Sequence, residues 1–99
     1  MKWCCTSFES VFRKAGLRGL GVFAAIEVGE PPLFILQHRA LDPGKSLRAT
    51  GDDTNVSLVT EAVISFCPWC GVRLDKWYRR SIQELDRSDL RIFLKNPPQ

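Results

Sequence analysis

Four cysteines stand in two close pairs, Cys4-Cys5 near the start and Cys67-Pro68-Trp69-Cys70 two-thirds of the way along. Thiols in this number and spacing have one favoured chemistry, ligation of a soft or borderline metal ion. The second pair is the stronger signal. A turn that brings two sulfurs to one ion needs a residue with positive φ, and Gly71 follows Cys70 directly. Pro68 presets its own φ and lowers the entropy lost when the turn forms. A structural zinc site takes four ligands at tetrahedral angles. The assignment is therefore Cys4, Cys5, Cys67 and Cys70 around a structural zinc ion, the competing set replacing one of the first pair by His38. Adjacent cysteines in an extended segment point to opposite sides, so the first pair requires a bend in the chain.

Other chemistries fit less well. Cys-Pro-aromatic-Cys occurs in glutaredoxin active sites, but there it opens a helix with most of the domain still to come. Here 29 residues follow Cys70, and Gly71 is a poor first helical residue. Four sulfurs also suit iron, which is read as adventitious. Asp42-Pro43-Gly44-Lys45-Ser46 invites comparison with a phosphate-binding loop, but position 39 is arginine where that motif needs glycine, so the segment reads as a turn. His38 is the one histidine and has no nucleophile beside it, and Asp52-Asp53 lies in a polar turn. The chain is expected not to be an enzyme.

The elements that must position the sulfurs follow from periodicity. Thr6-Ser7-Phe8-Glu9 has the capping-box form and starts a helix over 7–15, with Phe8, Val11, Phe12 and Ala15 on one face. Its positive dipole end lies beside Cys4 and Cys5 and favours thiolate there. Strands are predicted over 22–28 and 33–40, antiparallel because the Gly29–Pro32 link is short, with a possible edge strand over 45–50. The run 56–66 alternates and leads into the knuckle, with a break near Glu61. Leu74 packs back over the turn. Ser81-Ile82-Gln83-Glu84 repeats the capping box and predicts a short helix over 82–88; 90–94 extends it or forms a last strand, and 95–99 frays. The fold class is α+β, one zinc-binding domain over 1–99: an N-terminal helix on a three- to four-stranded antiparallel sheet, a zinc knuckle and a short C-terminal helix.

Composition bounds the partners. Apolar and charged fractions of 44% and 25% are those of a globular chain. Neither a membrane span nor a secretory signal is visible, so a cytoplasmic location is expected, where thiols stay reduced; export would turn the cysteines to disulfides. The net charge of +3 comes wholly from beyond the knuckle, where residues 71–99 hold seven Lys/Arg against four Asp/Glu. Arg73, Lys76, Trp77, Arg79 and Arg80, with Tyr78, Arg87, Arg91, Phe93 and Lys95, are candidates for contacting nucleic acid, cations on phosphates and rings on bases. The main expectation is a protein partner for a non-catalytic adaptor, a homodimer included; a zinc-ribbon nucleic-acid binder is the alternative. Trp3 and Trp69 flank cysteines and are expected to shield the ion from water.

Lys2-Trp3-Cys4-Cys5-Thr6-Ser7-Phe8 and Ile64 to Leu74 also resemble the two ends of a group of small bacterial and phage proteins, with a cysteine pair before a short helix and a strand running into a CPxCG knuckle. The resemblance covers roughly 20 residues and none of the middle. It implies a zinc-ribbon-like or rubredoxin-like site of structural role, and no activity.

Overall fold

The computed structural model describes residues 1–40 and 59–91, and the backbone pairing of two short strands between them. It begins with helix α1 (Thr6–Arg13), followed by strands β1 (Gly19–Ala25) and β2 (Leu33–Arg39). Strands β3 (Leu47–Arg48) and β4 (Asn55–Val56) pair antiparallel, and β5 (Val59–Ile64) completes a three-stranded antiparallel sheet of order β1-β2-β5. Helix α2 (Leu74–Trp77) and 3₁₀ turns at Ile82–Leu85 and Ser88–Leu90 end the described chain. The expected α+β class, with its N-terminal helix, antiparallel sheet and short C-terminal helix, is what forms. Among the described residues no helix is long and apolar enough to cross a membrane.

The register sorts side chains by face. Val22, Ala24, Phe34, Leu36 and Ile64 share one face and pack with Phe8, Cys67, Leu74, Tyr78 and Leu85. Phe23, Ala25, Leu33 and Ile35 point the other way, under Ala15 and Leu90. On that second face Gln37, 1% exposed, donates to Glu61 Oε2 at 2.8 Å and to the Leu90 carbonyl at 2.9 Å, and accepts from Arg39 Nε at 2.9 Å. Arg91 adds an ion pair to Glu61 at 3.6 Å. A buried amide needs this many partners to offset its desolvation. β5 therefore runs unbroken through Glu61, whose charge is met inside the fold.

Element boundaries move for local reasons. β1 starts three residues before the expected position 22, its pairing with β2 beginning at Gly19 opposite Arg39, and the chain passes close over it: a Cβ on Gly21 would lie 3.0 Å from Ala15 Cα. It ends at Ala25, and the next N–H, that of Ile26, goes to Asp86 Oδ1 at 3.3 Å. The expected helix over 82–88 is instead two 3₁₀ turns. Ser81 makes no side-chain cap, and Asp86–Arg87 leaves helical geometry to bridge β1, Arg87 N–H donating to the Ala24 carbonyl at 2.9 Å. That bridge covers the outer edge of β1. The turns at Asp42–Ser46 and Asp52-Asp53, the ends of the expected strand over 45–50, and everything from 92 onward, Phe93 and Lys95 included, lie outside the described residues.

Candidate metal centre

The knuckle is built almost wholly by its own backbone. Phe66 bridges Arg73 antiparallel, and the Cys67 N–H donates to the Val72 carbonyl at 2.9 Å. The Gly71 N–H closes the turn onto the Cys67 carbonyl at 2.9 Å, with Gly71 at φ 82° as the motif requires. Leu74 N–H bonds the Ser65 carbonyl at 3.0 Å and so starts α2 directly against the strand. Leu74 is fully buried and packs in the same cluster as Cys67.

The first pair is held by contacts distant in sequence. Cys5, not Thr6, is the N-cap of α1: its backbone is extended and its Sγ accepts the Phe8 N–H at 3.4 Å. The capping box expected of Thr6 and Glu9 is not the one used, since Glu9 spends its carboxylate on Arg13 at 2.8 Å. This is the bend that adjacent cysteines need. Cys4 is fixed through its backbone, whose N–H donates to the Tyr78 hydroxyl at 3.0 Å across 74 residues. Tyr78 is fully buried, stacked on Phe8 with ring centres 5.0 Å apart and flanked by Trp3 and Phe34.

These supports bring the four sulfurs within 4.8 Å of one another, with Cys5 Sγ and Cys67 Sγ 3.7 Å apart. Ligands of a tetrahedral ion at a metal–sulfur distance of about 2.3 Å are separated by about 3.8 Å, so the donor set fits such an ion with small adjustments. All four cysteines are free thiols in this structure. The surroundings disfavour thiolate at the first pair, against the expectation from the helix end beside it, and favour it at Cys67. Burial pushes the Cys4 thiol up to about 12; the Tyr78 hydroxyl works against this, and the Cys70 and Cys67 sulfurs add to it. Burial likewise raises Cys5, opposed by the Phe8 N–H. Cys67 goes the other way: burial pushes it up, but the N–H groups of Cys70 and Trp69 and the thiols of Cys70 and Cys5 carry it below the ordinary thiol value. Four like groups this close cannot all ionise cheaply without a cation, and a coordinated metal deprotonates its thiols outright.

His38 is not brought to this cluster; it is exposed on β2, opposite Leu20 and Thr60. Of the two tryptophans expected to shield the ion, Trp3 packs inward on Phe8 and Phe12, whereas Trp69 is 38% exposed. Among the residues considered for nucleic acid, Lys76, Arg79 and Arg80 are exposed, and Trp77 is 41% exposed with its Nε1 donating to the Lys2 carbonyl at 3.0 Å. Arg73 is paired with Asp75 at 2.9 Å and Arg87 with Asp89 at 3.2 Å. Arg91 is turned inward to Glu61, and the buried Tyr78 ring cannot stack on a base. Tyr78's place beside Cys4 was not readable from sequence. The one trace was its spacing four residues from Leu74, which puts both on one helical face. No family model, curated protein or solved structure matches the chain; of the resemblance drawn from the two cysteine motifs, the structure bears out the cluster of four cysteines.

Proposed function

We propose that the chain is a small non-catalytic binding module whose fold is fastened by a structural zinc ion on Cys4, Cys5, Cys67 and Cys70. The observation that carries this is the gathering of four sulfurs from both ends of the fold within 4.8 Å. A closed four-sulfur set leaves no position for a substrate or an activated water, which is the pattern of structural rather than catalytic zinc. When bound, zinc supplies charge neutralisation and a cross-link; the protein's own residues supply the turn, the cap and the burial. Reduced thiols require a reducing compartment, and the cytoplasm meets that need.

The role of adaptor for another protein, a second copy of this chain included, draws on exposed apolar side chains beside the knuckle: Val63 at 59%, Phe66 at 58% and Trp69 at 38%. Nucleic acid is a second reading, favoured by Lys76, Arg79 and Arg80, exposed and without an ion pair among the described residues, around the part-exposed Trp77. Native mass spectrometry tests the metal: one zinc per chain is expected, and four free thiols after denaturation in acid. A metal-free chain, or one lighter by the protons of a disulfide, overturns the reading. Titration with a labelled oligonucleotide at rising salt tests the partner. Affinity that falls steeply with salt and disappears in Arg79→Glu/Arg80→Glu selects nucleic acid, and no binding at low salt removes it.

A further inference from the structure

Tyr78 is the residue on which the two halves of the site meet. Its ring belongs to the core, stacked on Phe8 and fully buried, yet its hydroxyl lies at the sulfur cluster. The oxygen accepts the Cys4 N–H at 3.0 Å, and the same hydroxyl opposes the rise that burial imposes on the Cys4 thiol. A buried hydroxyl held in this way fixes the backbone of Cys4 and lies beside its sulfur. Cys4 has no comparable local support. Cys5 is locked as the cap of α1, and Cys67 and Cys70 belong to a self-bonded turn.

We infer that Tyr78 is a positioning residue for the metal: through its hydroxyl it sets Cys4 as the fourth ligand, and without that hydroxyl the ion is held by Cys5, Cys67 and Cys70 with Cys4 displaced. This rests on the four-cysteine reading above. Groups that orient a ligand through hydrogen bonds are commonly worth 10- to 100-fold in metal affinity.

Tyr78→Phe separates the two roles, because it keeps the ring in the Phe8, Trp3 and Phe34 cluster and removes only the oxygen. The experiment compares wild type and Tyr78→Phe by zinc competition against a chromophoric chelator and by the visible spectrum of the cobalt(II)-substituted protein. The expected result is zinc affinity lowered about 10- to 100-fold, with weaker sulfur-to-cobalt charge transfer and ligand-field bands moved to higher energy as a sulfur is exchanged for a lighter donor. Equal affinity overturns the inference, and so does lower affinity with an unchanged cobalt spectrum, which is what loosened packing alone would give. Wild-type protein that takes up neither metal indicts the four-cysteine reading instead. Should the variant fail to fold, amide exchange in zinc-loaded wild type decides: a Cys4 N–H protected like that of Cys67 upholds the tether, and one exchanging as fast as Lys2 removes it.

Discussion

The two cysteine pairs reach the same point by opposite means. Cys67 and Cys70 are presented by a turn whose hydrogen bonds run between residues at most a few positions apart, Gly71 to Cys67 and Cys67 to Val72. Cys4 and Cys5 are presented by a helix N-terminus docked on the core and by a hydroxyl 74 residues away. The first arrangement is a property of a segment, the second of a folded protein. Half of the site is therefore a local construction, and the other half depends on the whole fold.

Removing the metal tests the contrast most severely. Zinc-loaded protein treated with a strong chelator is expected to lose its cooperative melting transition, because a structural zinc is worth on the order of 10 kcal/mol to a small domain; an unchanged melting curve on a verified metal-free sample would break the argument. Phe8→Ala strikes first at the N-terminal pair. Phe8 is fully buried against Tyr78, so its truncation should cost about 3–5 kcal/mol by chemical denaturation while leaving the knuckle sequence intact. Gly71→Ala strikes the other pair. A Cβ there meets nothing within 4 Å, so the loss is confined to the backbone at φ 82° and should be about 1–2 kcal/mol, seen as roughly a tenfold weaker zinc affinity. The smallest effect separates the two duties of Cys5. Cys5→Ser and Cys5→Ala both remove a thiolate, but serine restores an N-cap acceptor, so the serine variant should be the more stable by about 1 kcal/mol at saturating zinc.

The same contrast explains what could be read from the sequence. The knuckle, Gly71 and the inward packing of Leu74 were legible because each depends on neighbours in the chain. The helix and the two leading strands were legible from spacing, to within a few residues. The cap was misread: Thr6 and Glu9 satisfy a local pattern, but the thiol of Cys5 takes the Phe8 N–H because the cluster draws the chain through that residue. Tyr78 was grouped with exposed aromatics since its neighbours are charged, and only the packing of α2 on the sheet face reveals that it is buried. The contacts of Gln37 with Glu61 and Leu90, and of Arg91 with Glu61, were invisible for the same reason, each joining residues at least 24 positions apart.

The separation of the ligands also sets a timetable. On the ribosome Cys4 and Cys5 are made first, and Cys67 comes 62 residues after Cys5, several seconds later at elongation rates of about 5–20 residues per second. Until then Cys5 has not met the sulfur of Cys67, and its thiol can do no more than cap a nascent helix. Tyr78 is translated after all four cysteines, so the hydroxyl that holds the Cys4 N–H is made after every sulfur of the cluster. The four sulfurs can gather only after Cys70 has been made, and whether the early pair stays reduced in that interval is decided by its surroundings rather than by the fold.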